Sequence, residues 1–221
     1  MISEEKVLSV MDRRGFSKYL TRLSMDDYTV PEEDGGTKAR RVVEKYIDKA
    51  DEMLDNGVGI FFAGPTGVGK SMLATIIVKE VIKTATRRPS PLLVNCDQLI
   101  QSTNDMWFRE KEAGVIPLKK ICETDLLVID DIPNTLNNSR DVYKIIEEVL
   151  ARRNPNNLPT IITYGKGKQD FKREAPERLL SFVTEKLLVV DLQNIPDRRA
   201  AKGRKIIEMF DMQDMLKKKG D

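Results

Sequence analysis

The 221-residue chain has no histidine and only two cysteines, Cys96 and Cys122. The first absence excludes every acid–base mechanism that runs through an imidazole. Together the two leave a Cys/His zinc site and a disulfide framework without support. Net charge is small as well. Thirty-seven Lys and Arg stand against 35 Asp and Glu, leaving +2, so a nucleic-acid surface has to be a local patch. No apolar run approaches the length of a membrane span. The start, Met1-Ile2-Ser3-Glu4-Glu5, lacks the basic and apolar regions of a signal peptide. Internal repeats and low-complexity tracts are missing too. These absences lead us to expect a soluble cytoplasmic protein with no membrane partner. With 40% hydrophobic residues, it holds enough apolar material for one domain with appendages.

What is present is an alternation. Gly59-Ile60-Phe61-Phe62-Ala63, Leu92-Leu93-Val94-Asn95, Leu126-Leu127-Val128-Ile129-Asp130, Thr160-Ile161-Ile162-Thr163 and Leu187-Leu188-Val189-Val190 are short apolar runs. They predict five strands buried on both faces. Helical spacing separates them, over 97–111, 140–152 and 170–182, the last as one helix or two. Such an order predicts a parallel five-stranded sheet with helices on both faces. Ahead of it, Val42, Val43, Tyr46, Ile47, Ala50, Met53 and Leu54 predict one helix capped by Thr37 and ending near Asn56-Gly57. Residues 1–14 predict a short helix capped by Ser3, with Val7, Leu8 and Met11 on one face. Residues 15–36 predict irregular chain. The expected division is a 1–36 N-terminal segment, a 37–196 domain that holds the sheet and a 197–221 basic helical tail.

Gly64-Pro65-Thr66-Gly67-Val68-Gly69-Lys70-Ser71 fits G-x-x-x-x-G-K-[ST], the phosphate-binding loop of nucleoside triphosphatases. It lies between an apolar strand and the apolar helix start at Met72. That geometry aims backbone N–H groups and a positive helix end at phosphate. Lys70 is expected to meet the β- and γ-phosphates, and Ser71 to offer a hydroxyl to Mg²⁺. About sixty residues on, Asp130 and Asp131 close the third apolar run. Asp130 is expected to hold the metal of an Mg²⁺-bound ATP, and Asp131, placed one residue past the strand end, to polarise the attacking water.

The run Asp125-Leu126-Leu127-Val128-Ile129-Asp130-Asp131 resembles the DnaC/IstB branch of the AAA+ ATPases, a family of P-loop NTPases. So do Gly15-Phe16-Ser17-Lys18-Tyr19, Met25-Asp26-Asp27-Tyr28, Pro159 to Thr163 and Pro176-Glu177-Arg178-Leu179-Leu180-Ser181. The likeness runs over about 15–200. It implies ATP hydrolysis, a homo-oligomer formed on ATP, single-stranded DNA, a DnaB-like replicative helicase as partner, and a bacterial or phage-infected cytoplasm. Residue by residue it departs from the branch. Gly165 stands where the branch has a water-orienting Asn, which leaves Thr163 as the substitute or hydrolysis slow. Phe182 stands where the branch has its trans-acting arginine finger, which leaves Arg178 or Arg173 for that role, or no finger. Arg198 resembles the late arginine that touches the γ-phosphate.

The resemblance also assigns 104–111 to the lining of a DNA channel. There Trp107 and Phe108 stand beside Arg109 and Lys111, aromatic and basic groups suited to stacking on bases and gripping phosphate. Lys166-Gly167-Lys168 is a second candidate for backbone phosphate. Three functions stay open. One is a helicase loader. Another is an IstB-like transposition helper on duplex DNA. The third is a regulatory ATP-binding protein with impaired hydrolysis.

Overall fold

The computed structural model of the protein describes residues 2–29, 36–104, 115–132 and 139–199. Five strands form one all-parallel sheet in the order β2-β3-β4-β1-β5. They are β1 (Gly59–Ala63), β2 (Pro91–Asn95), β3 (Leu126–Ile132), β4 (Thr160–Tyr164) and β5 (Leu187–Asp191). All five expected strands are present. The helices are α1 (Glu4–Asp12), α2 (Gly36–Asp48), α3 (Ala50–Asp55), α4 (Lys70–Thr84), α5 (Cys96–Asn104), α6 (Leu118–Glu123), α7 (Ser139–Arg153), α8 (Lys168–Glu174) and α9 (Glu177–Lys186).

Strand side chains alternate between two cores. Ile60, Phe62, Val128, Ile161 and Val190 face the layer of α1 to α4. Phe61, Ala63, Leu127, Ile129 and Ile162 face the layer of α5 to α9. This two-sided burial is why the strands read as continuous apolar runs. Helix α4 is buried nearly all round, from Met72 through Ile82, because α1 and α2 pack on its outer side. That arrangement anchors the helix whose start the loop 64–69 enters.

Local corrections concern short elements. The helix expected from Thr37 to Asn56 is two, broken at Lys49, whose backbone leaves the helical region at φ −105, ψ 27. Both pieces still bury apolar residues: Ala39, Val43 and Tyr46 from α2, Ala50 and Leu54 from α3. Thr37 lies inside α2, which begins at Gly36, and does not cap it. Ser3 does occupy the N-cap position of α1, but its side chain makes no capping bond, and its carbonyl accepts from Lys6 and Val7 instead. The stretch expected to be irregular contains two 3-10 turns, Leu20–Arg22 and Met25–Asp27. Helix α6 was not anticipated, since six residues give too little periodicity.

The two edges of the sheet differ. At the β2 edge, Leu93 N–H donates to Arg14 O at 2.9 Å, so the segment after α1 covers that strand. At the β5 edge, Leu188 and Val189 are 43% and 50% exposed. Among the described residues, no helix is long and apolar enough to cross a membrane.

Candidate active site

Three parallel strand ends and one helix start converge. Residues Gly64–Gly69 leave β1 and enter α4, with Gly69 at φ 102 as the N-cap. Strand β4 lies between β1 and β3, pairing Thr163 with Phe62 and Ile162 with Ile129. The loop, Ser71, Asp130 and Thr163 therefore meet at one edge of the sheet, where parallel α/β folds bind ligands.

Their side chains form a continuous line. Ser71 Oγ donates to Asp130 Oδ1 at 2.8 Å. Thr163 Oγ1 donates to the same oxygen at 2.6 Å. Thr163 Oγ1 in turn accepts from the backbone N–H of Asp131 at 2.8 Å. Asp131 was expected just past the strand, but β3 runs on to Ile132. Instead Asp131 sits in a bulge, where the register with β4 shifts, and its φ is 60. A left-handed backbone costs a non-glycine residue energy, and bulges at active sites re-aim a side chain. Thr163 holds that backbone through its hydroxyl.

Lys70 is buried, and its Nζ donates to Gly64 O and Pro65 O, each at 2.7 Å. Burial lowers its pKa, and the charges of Asp131 and Asp130 oppose that shift. The ammonium thus folds back over its own loop. Cys96 begins α5 near the acids. Burial first, then the charges of Asp131, Asp97 and Asp130, pushes its thiol up to about 12, so it stays protonated and unreactive.

The chain after β5 returns to the loop. Arg198 N–H donates to Gly67 O at 3.1 Å, and a Cβ at Gly67 would overlap the Asp197 carboxylate. The Arg198 guanidinium lies over Tyr28, and its Nη1 is 3.0 Å from Met72 Sδ. The loop, Met72 and Arg198 are therefore brought together. Asp197 and Tyr28 belong to this region as well; Tyr28 ends the Met25-Asp26-Asp27-Tyr28 segment of the resemblance, but neither is among the expected site residues.

Other candidates sit apart or are engaged. Arg178, in the first turn of α9, is 70% exposed and pairs with Glu147 of α7 at 3.2 Å, over the ring of Phe182. Arg173 pairs with Asp170. Lys166 points its ammonium at Glu174, 2.8 Å away, while its carbonyl accepts from Gly64 N–H at 2.7 Å. Lys168 lies 3.8 Å from Asp191. Trp107, Phe108, Arg109 and Lys111 lie outside the described residues, as does the tail beyond Arg199.

The model of the ATPase family associated with various cellular activities matches residues 60–181, more than half of the chain. The chain belongs to the AAA ATPase family. As an AAA ATPase it binds and hydrolyses ATP. No curated protein matches the chain by sequence. Solved structures do. One of DnaI aligns with TM-score 0.61 at 21% identity, over 83% of this chain and 94% of that one. One of the DnaC helicase loader gives 0.63 at 20% identity, over 78% and 98%. A replication initiator DnaA bound to AMPPCP and single-stranded DNA gives 0.58 at 17% identity, over 86% of this chain and 56% of that one. At such identities the likeness is one of fold.

Proposed function

We propose that this AAA ATPase is a DNA-replication helicase loader, which assembles on ATP, binds single-stranded DNA and delivers a replicative helicase. The observation that carries the ATP chemistry is the Ser71–Asp130–Thr163–Asp131 line. The fold shared with DnaI and the DnaC helicase loader supports the loading role.

The site fits Mg²⁺. Ser71 Oγ and the Asp130 carboxylate are hard oxygen donors already 2.8 Å apart. Among the described residues no group of three or more acidic, Cys or His side chains forms a cage. That suits Mg²⁺, which takes one or two protein oxygens and completes its shell with phosphate and water. When bound, it neutralises charge on the β- and γ-phosphates.

The residues divide the work. Loop N–H groups and the positive end of α4 bind the phosphates. Lys70 exchanges its two carbonyls for phosphate oxygens. Asp131 accepts the proton of a water whose oxygen attacks the γ-phosphorus, while the bond to the β-phosphate oxygen breaks and ADP leaves. Thr163 fixes both acids at once. Arg198 closes the loop from the other side. Arg178 supplies a cation to a neighbouring copy's site after leaving Glu147. The stretch 104–111 and the loop Lys166–Lys168 face DNA in this reading, with Lys166 first released from Glu174.

The test is anisotropy of labelled oligonucleotides with ATP present, followed by capture of the helicase. Single-stranded DNA is expected to bind more tightly than duplex, with affinity falling steeply as salt rises. A duplex preference replaces the loader with a transposition helper. No DNA binding together with no turnover replaces both with a regulatory ATP-binding protein.

A further inference from the structure

Among the described residues, one buried side-chain polar atom lacks a hydrogen-bond partner: the hydroxyl of Tyr28. Tyr28 is 2% exposed. Leaving a phenol dry and unpaired costs stability, so it calls for a reason.

The place of the ring supplies one. A Cβ at Gly69 would sit 2.8 Å from Tyr28 Cε2 and 3.3 Å from Cδ2. The Cδ2–Cε2 edge of the ring therefore faces the phosphate loop, with Cε2, the carbon next to the one that carries the hydroxyl, the nearer of the two. Gly69 thus serves two needs: a left-handed backbone and room for this ring. The 3-10 turn that delivers Tyr28 is firmly built. Ser24 N–H donates to Asp27 Oδ2 at 2.8 Å, and Asp26 N–H donates to Ser24 Oγ at 3.3 Å. From α2, Arg40 donates to Met25 O and to Asp26 Oδ1, both at 3.2 Å. Over the ring lies the Arg198 guanidinium, 4.8 Å from its centroid. Burial raises the phenol's pKa to about 12 against the pull of Arg198, so the hydroxyl stays neutral. A neutral phenol both donates and accepts.

Phosphates are taken by the loop and the start of α4. The remainder of a nucleotide has to leave beside the first turn of that helix, where Met72, Tyr28 and Arg198 are gathered. We propose that the Tyr28 hydroxyl is the hydrogen-bonding specificity contact for the nucleoside half of the bound nucleotide. It meets a ribose hydroxyl or an edge of the base, and the stability lost in the free protein is recovered on binding. The inference rests on nucleotide binding at the phosphate loop.

Tyr28→Phe removes only the hydroxyl. Calorimetry with ATP, GTP and inorganic triphosphate, with thermal unfolding of the free protein, reads the result. ATP affinity is expected to fall about threefold to tenfold, triphosphate affinity to stay unchanged, and the free variant to melt no lower than wild type. A loss confined to ATP assigns the base edge, and an equal loss for ATP and GTP assigns the ribose. Unchanged ATP affinity overturns the proposal. So does an equal loss for ATP and triphosphate, or a lower melting temperature, which makes the hydroxyl structural. Wild-type protein that fails to bind ATP counts against the nucleotide site itself, a separate failure.

Discussion

Thr163 is the residue on which the two acids depend. It donates to the Asp130 carboxylate and accepts from the strained backbone N–H of Asp131, so one hydroxyl ties both residues in place. Thr163→Val keeps the shape and removes both bonds. Turnover is expected to fall at least tenfold while ATP affinity changes little, measured by steady-state hydrolysis beside calorimetry. It leaves the Asp131 N–H unpaired, and that costs about 1–3 kcal/mol of stability. Asp131→Asn acts on the proton itself. The amide is a poor base, so turnover drops by roughly 10²–10⁴ with binding retained. Lys70→Ala removes the buried cation that the proposed mechanism sets against the phosphates. Calorimetry with the variant should show no ATP binding, and undiminished affinity would sink the assignment of the loop.

At the scale of elements, buried polar links hold the layers together. Arg153 ends α7 and is fully buried, and among the described residues no carboxylate forms an ion pair with it. It donates to the carbonyls of Ile121, Cys122, Thr124 and Pro159 and to Thr160 Oγ1. Burial lowers its pKa to about 10. Arg153→Met should therefore strand several acceptors between α6 and β4, and cost on the order of 3–5 kcal/mol in urea unfolding. Glu174 is a second link. It accepts from Tyr164 and Lys166, each at 2.8 Å. Burial opposes ionisation, but those two bonds hold its carboxyl below the ordinary 4.5. A depressed carboxyl stabilises the fold fully above its ordinary value and loses that contribution as pH falls through the depressed one. Glu174→Gln is therefore expected to cost about 1–2 kcal/mol at neutral pH and to match wild type well below pH 4. Neither link was legible in the sequence. The strands were, because burial on both faces writes them as apolar runs. So was the phosphate loop, because its chemistry is local. Arg153, Tyr28 and the Thr163 hydroxyl take their meaning from partners brought near only by the sheet order. The break at Lys49 and the short α6 carry too few residues to show a period.

For the whole molecule, assembly is the open variable. Arg178 is exposed and, among the described residues, is held by a surface pair with Glu147 and by the ring of Phe182, contacts worth little at an exposed site, so releasing it is easy. Light scattering with a non-hydrolysable ATP analogue is expected to show a mass well above the monomer at micromolar protein. Arg178→Ala should preserve ATP affinity and slow turnover in the assembled state, because in the proposed assembly head-to-tail contacts complete each site from a neighbour. A strict monomer with and without nucleotide contradicts this. The sheet bears on how such an assembly grows. Its β2 side is closed by Arg14 and its β5 side shows Leu188 and Val189. A copy adding strand to strand at the β2 edge would have to displace the segment that carries Arg14, so among the described residues the β5 edge is the easier place for such an addition.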